Sequence, residues 1–212
     1  MLVAGRNVMR RKAGILFMVL GTALVLAALS LILWNRHEDR AAGDAAVNIL
    51  PQIVEEIQEP EETDAPSSPE PYDPAMTQVE IDGYGYIGYL SIPALELELP
   101  IMADWDYERL KIAPCRYTGS TKTDDLVIAG HNYSRHFGSL ASLSEGDQVL
   151  FTDMDGATWI YEVAVVEVLA PTAVEEMASS EYDLTLFTCT YGGQSRVTVR
   201  CNRAEESIIP MK

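Results

Sequence analysis

At 212 residues, with a formal net charge of −17 and three cysteines, the chain has room for one ordinary domain plus extensions. The negative charge argues against nucleic acid, whose phosphates need a basic footprint, and against electrostatic attachment to an anionic membrane surface. A sparse, odd cysteine count argues against a disulfide framework and leaves at least one thiol free or paired outside the chain.

Residues 1–13 carry Arg6, Arg10, Arg11 and Lys12 and no acid, which predicts a cytoplasmic basic tail. Gly14–Trp34 follows without a single charge. Its 21 residues, at about 1.5 Å each, span roughly the 30 Å of a bilayer core. A cleaved signal peptide is the alternative, but its apolar region is only about 7–15 residues long. Basic residues before the run and Trp34 at its far boundary predict a single-pass anchor, N-terminus inside and the bulk of the chain outside.

Residues 35–77 change character. Glu55, Glu56, Glu59, Glu61, Glu62, Asp64 and Glu70 are interleaved with Pro51, Pro60, Pro66, Pro69, Pro71 and Pro74. Repelling charges and prolines oppose a packed core, so the expectation is an extended acidic stalk. A short amphipathic helix over Leu50–Gln58 is the other reading, with Leu50, Ile53, Val54 and Ile57 on one face and Pro51 confined to its first turn.

The folded part is expected over residues 78–212. Strand-like runs occur at Tyr84–Ile92, Leu95–Ile101, Leu126–Gly130, Gln148–Asp153, Thr158–Leu169, Leu184–Thr190 and Ser195–Asn202. Asp155-Gly156 marks a hairpin, and short helical turns are expected at Tyr107–Ile112 and Phe137–Leu143. About eight short strands with few helical segments predict an all-β domain, a closed or nearly closed barrel.

Cys189 ends one strand beside Gly192-Gly193, and Arg196 opens the next. Alternation puts Phe187 and Cys189 on one face of the first strand and Leu184, Leu186 and Thr188 on the other. On the second strand Arg196, Thr198 and Arg200 share a face, while Val197, Val199 and Cys201 share the core face. Arg196 can thus lie level with the sulfur, lower its pKa and donate to an oxyanion; Arg200 reads as a solvated strand residue. On its own, Cys189 reads either as a packed thiol or as a nucleophile. Of the three histidines, His37 abuts the apolar run, while His131 ends the strand LVIAG and is the better general base. His136 lies five residues on. That spacing fits neither a helix face nor a zinc motif, so no metal is expected. Acidic residues such as Asp104, Asp106 and Glu108 offer a possible calcium site, against a solvated acidic face.

The stretch LTLFTCTYGGQSRVTVR resembles the TLxTC…R signature of sortases, the membrane-anchored cysteine transpeptidases of Gram-positive bacteria. Gly88–Ile101, Ala113–Ser120 and Leu126–Phe151 extend the resemblance, which covers about residues 84–203. It implies an eight-stranded sortase-type barrel with Cys189 as nucleophile, His131 as the catalytic histidine and Arg196 as the essential arginine. Thr188 matches a substrate-lining position. The short segment after Leu169 departs from class B, and Ala75 after Asp73-Pro74 departs from the Asp-Pro-aromatic lid of class C. A class A-like or class D-like enzyme is the closer match.

The resemblance further implies secreted proteins bearing a C-terminal LPxTG-like sorting signal as substrates, and no cofactor. The acceptor it implies is an amine of a peptidoglycan precursor or a pilin. A hydrolase without transfer, and a catalytically silent membrane-tethered scaffold, remain the alternative classes. Between Cys115 and Cys201 a disulfide outside the cell is chemically allowed.

Overall fold

The computed structural model describes residues 2–58, 75–178 and 181–210, with side chains for 14–58, 75–178 and 181–204. The side chains of the basic tail and the Asp73-Pro74 pair lie outside the described residues. The chain divides into two compact units, Met1–Asp39 and Arg40–Lys212. The long helix α1 (Leu2–Gln58) runs through the boundary. In the first unit its residues 14–34 are apolar and exposed throughout, long enough and apolar enough to cross a bilayer.

Among the described residues the second unit contains nine strands. They are β1 (Val79–Ile81), β2 (Tyr84–Ile92), β3 (Leu97–Met102), β4 (Cys115–Thr118), β5 (Leu126–Gly130), β6 (Gln148–Asp153), β7 (Ala157–Leu169), β8 (Leu184–Cys189) and β9 (Arg196–Pro210). Their order is β1-β2-β3-β4-β5-β8-β9-β7-β6, and β6 pairs back onto β2. Eight strands therefore close a barrel, with β1 added along the first half of β2. Closure removes the free sheet edges that would otherwise template aggregation. It also demands a close approach at Gly88, where φ is +140° and a Cβ would sit 2.0 Å from the Thr152 carbonyl oxygen. The closed barrel expected from the strand pattern is the fold found. β4 and β1 are added to the runs read from the sequence, being four and three residues long.

Two apolar clusters divide the side chains. Leu90, Ile101, Leu126, Ile128, Phe151, Leu184, Leu186, Val199 and Cys201 belong to the first. Val127, Ala129, Phe187, Tyr86, Met154, Ile49, Ile53 and Ile57 belong to the second. β5 alternates between them residue by residue and is buried at all five positions. An apolar run without alternation is what a strand buried on both faces requires.

The acidic stalk expected over residues 35–77 is corrected for its first part. α1 continues to Gln58, and Ala42, Ala46, Ile49, Ile53 and Ile57 are buried. These positions recur every three or four residues, a single helical stripe, while Glu55 and Glu56 remain on the exposed side. The charges that argued for a spacer are the solvent face of a docked helix. Pro51 sits in the helix interior rather than its first turn, on the exposed side. The roughly 3 kcal/mol such a proline costs is offset by burying three isoleucines, at about 1.5–3 kcal/mol each. The rest of the proline-rich segment, residues 59–74, lies outside the described residues.

Ile53 is fully buried, so Ile53→Ala should lower unfolding stability by about 3 kcal/mol. Glu56→Ala, on the opposite face, should stay within about 0.5 kcal/mol of the parent. Chemical denaturation of both variants reads the difference. Equal, negligible effects would mean that the helix does not dock.

Candidate active site

The site is assembled at one end of three adjacent strands. β5 and β8 run parallel, with Gly130 opposite Thr188 as the last pair. The next residue on each strand is His131 and Cys189. Ala129 and Phe187 pair in the same register and share the second cluster. By strand alternation Cys189 continues on that face, outside the barrel, and His131 is the first residue beyond the neighbouring strand end. β9 flanks β8 on its other side, antiparallel, with Arg196 opposite Cys189. The three residues thus stand at the ends of adjacent strands, on one rim of the barrel.

The turn between β8 and β9 sets the arginine. The Thr190 N–H donates to the Ser195 carbonyl at 2.9 Å, and the Ser195 N–H returns a bond to Thr190 Oγ1 at 3.0 Å. Gly192 and Gly193 supply positive φ angles of 84° and 72°, which side-chain-bearing residues adopt at a cost. Arg196 Nη1 donates to the carbonyl oxygens of Gly193 (3.3 Å) and Ser195 (3.1 Å). One guanidinium nitrogen is thereby tied to the turn, from the rung that Arg196 shares with Cys189.

His131 leaves β5 into a tight loop. Its carbonyl accepts from the Phe137 N–H at 3.0 Å, and its ring stacks on Tyr133 with centroids 4.7 Å apart and planes at 29°. Gly130 is required here for space, because a Cβ would lie 2.5 Å from the Phe137 ring. Phe137 is fully buried, so the loop after His131 is fastened to the barrel by its own aromatic residue.

Thr188, which the resemblance matched to a substrate-lining position, lies on the face that strand alternation predicted for it. It is 3% exposed and has the alternation of Leu184 and Leu186, so its hydroxyl lies on the face opposite Cys189. Arg200 differs from the expected solvated residue. It is 3% exposed and donates to Glu167 Oε1 (3.0 Å), Thr185 Oγ1 (3.1 Å) and the carbonyls of Met177 (3.0 Å) and Glu176. It ties the short helix α2 (Val174–Met177) to β7, β8 and β9. Its alternation with Arg196 was legible; the segment that covers it was not.

Cys115 and Cys201 are free buried thiols in different apolar clusters, so the pairing that chemistry allowed is not made. Burial pushes the Cys201 thiol up to about 12. Burial, then the Asp106 carboxylate, does the same to Cys115, also to about 12. Asp104, Asp106 and Glu108, considered for calcium, form ion pairs with Arg109 and Lys111 at 3.5, 3.1 and 2.8 Å.

Sequence reading missed an aromatic row on the cysteine face. Phe187 meets Tyr117 edge-on at 5.4 Å, Tyr117 meets Trp105 at 5.2 Å, and Trp105 meets Tyr107 at 5.8 Å. Ala129, on the strand between β4 and β8, is small enough to let the first pair touch. Trp105 and Tyr117 line a cleft of about 300 Å³ with Asp104 and Arg116. The only signal in the sequence was exposed aromatic residues among acids at Asp104–Glu108.

Comparison with known proteins is decisive at the level of the family. The sortase-domain family model matches residues 90–204. Sortase A of Bacillus anthracis is 30% identical over 153 residues, 68% of this chain and 70% of that protein. This chain belongs to the sortase family. Among solved structures, sortase A from Corynebacterium diphtheriae is similar at 26% identity and a TM-score of 0.53. That match covers 57% of this chain and 62% of the Corynebacterium chain, less than two thirds of its length. Sortase C from Streptococcus pneumoniae shares the fold at 20% identity and a TM-score of 0.58, covering 76% of this chain and 98% of that one. Sortases are cysteine transpeptidases that anchor proteins to the cell wall or link pilins, and this sortase is an enzyme of that class.

The two thiols raised to about 12 are ionised to only about one part in ten thousand at pH 8. Iodoacetamide at that pH should therefore add one carbamidomethyl group to the folded chain, on Cys189, and three after denaturation. Intact-mass spectrometry with peptide mapping checks this. Arg200→Met should destabilise the fold by about 3 kcal/mol, because it leaves the Glu176 and Met177 carbonyls and Glu167 without their cation. Denaturant unfolding measures that loss.

Proposed function

We propose that this sortase cleaves an LPxTG-like sorting signal on secreted proteins and transfers them to an amine. The Cys189 thiolate attacks the threonine carbonyl, forming the C–S bond. Collapse of the tetrahedral intermediate breaks the C–N bond, and His131 protonates the departing amine. A thioacyl-enzyme remains. The acceptor amine, of a peptidoglycan precursor or a pilin lysine, then gives its proton to His131 as it attacks, and the thiolate leaves. Arg196 donates to the oxyanion in both tetrahedral intermediates. Every step uses this chain's own side chains, without a resident cofactor.

The observation that carries this reading is the strand register. Parallel β5–β8 and antiparallel β8–β9 pairing align His131, Cys189 and Arg196 on neighbouring strand ends. The exposed aromatic row leading from Phe187 supports an extended peptide as the substrate, since apolar side chains and proline pack well on such faces. We assign residues 14–34 as the membrane anchor, with Arg6, Arg10, Arg11 and Lys12 on the cytoplasmic side and the barrel outside the cell. Thr188 supports the site from behind, through its place in the β8 backbone.

Incubation of the chain with a sorting peptide, with and without an added amine, followed by mass spectrometry, tests the proposal. The expected products are a thioacyl adduct on Cys189 and an amine-linked peptide. Hydrolysed peptide alone would mean a hydrolase, and no adduct at all a scaffold. Cys189→Ala should form no adduct yet keep its circular dichroism. Arg196→Ala should lower kcat by about 10²–10³-fold, the usual cost of losing an oxyanion donor.

A further inference from the structure

The loop that carries His131 is bolted to helix α1 by a contact that no catalytic role requires. Arg135 stands at the loop's apex. Its Nη1 lies 3.2 Å from Asp44 Oδ1, and its side chain crosses directly over Gly43. A Cβ at Gly43 would lie 2.2 Å from Arg135 Nε and 2.4 Å from Cδ, so a side chain there would displace the end of Arg135. Gly43 is buried, as are its neighbours Ala42 and Ala46, and Ala46 joins Phe137 and Leu140 in one cluster. Glycine is a poor residue for a helix interior. What its missing side chain accommodates is the arginine.

The loop between is stiff. The Tyr133 carbonyl accepts from both His136 (3.1 Å) and Gly138 (2.9 Å), and the Tyr133 ring stacks on His131. A Cβ at Gly138 would lie 2.6 Å from that same carbonyl oxygen, so the turn has no slack. Movement at Arg135 is therefore passed to Tyr133 and on to the imidazole. The ion pair itself is solvent-exposed, its side chains 44% and 71% accessible. Such pairs contribute little to stability, so removing this one should leave the barrel folded.

We propose that Gly43, Asp44 and Arg135 are positioning residues that set the orientation of the His131 ring through Tyr133. The helix docked on the barrel is thus part of the catalytic apparatus. For its kinetic consequence the inference rests on His131 being the acid and base of the proposed reaction. Its structural content does not.

The test uses the full chain in detergent micelles and three variants: Gly43→Ala, Arg135→Ala and the double substitution. A Cβ at position 43 displaces only the flexible end of Arg135, so both single variants should remove the same contact without unfolding the barrel. Each should lower kcat for acyl-enzyme formation about tenfold with KM unchanged, the scale expected of a misplaced catalytic group. Each should also move the His131 Hε1 resonance away from its Tyr133-stacked position. The double variant should match the singles. An unmoved His131 resonance in both singles, or a double variant with the product of the two losses, overturns the inference. If the parent chain forms no acyl-enzyme, the proposed function fails, and the resonance alone still decides the positioning role.

Discussion

The parallel pairing of β5 with β8 is the constraint on which the rest depends. It joins two segments more than fifty residues apart, and a parallel pair cannot be closed by a tight turn. A long crossover is needed instead, and it carries the loop after β5, the β6–β7 pair and the short helix α2 in turn. In return, the two strands end together. His131 and Cys189 are neighbours because both chains leave the sheet at the same rung, and Arg196 joins them because the next strand turns back one short loop later.

Such a pair is buried on both faces, and that explains the remainder of the molecule. The inner face needs the closed barrel. The outer face needs a second apolar layer, which Tyr86, Met102 and Met154 supply together with Ile49, Ile53 and Ile57 of α1. The outer layer stops short at the rim, where Phe187, Tyr117 and Trp105 pass from core to surface and leave an open aromatic floor. A reactive thiol belongs at that boundary. Cys189 is partly accessible, while Cys115 and Cys201, deep in the two layers, are held protonated by desolvation.

Arg196 and Arg200 show how one pattern yields two outcomes. Both lie on the outer face of β9, four residues apart. Arg196 faces the open rim and, among the described residues, bonds to its own turn. Arg200 is capped by α2 and satisfies carbonyls at that helix's end, so its charge is spent on holding the β7–β8 connection. Thr188 makes the complementary case: next to Cys189 in sequence, it is on the other side of the sheet.

Much of this was legible in the residues. Alternation, turn glycines and the unbroken apolar run of β5 reflect local sterics and burial, and each specifies strand, turn and core face without a partner being known. The same reasoning set Arg196 level with Cys189, and read the anchor-length helix and the core placement of Cys201. What tertiary structure alone decided is who covers whom. The apolar face of Leu50–Gln58 could be read beside the acids at 55 and 56, but a spacer and a docked helix share that pattern until a surface receives it. Arg200 looked solvated because α2 is too short to read from four residues, and the clamp of Gly43 on Arg135 joins segments with no shared local pattern. Periodicity is a property of one segment, whereas docking is a property of two.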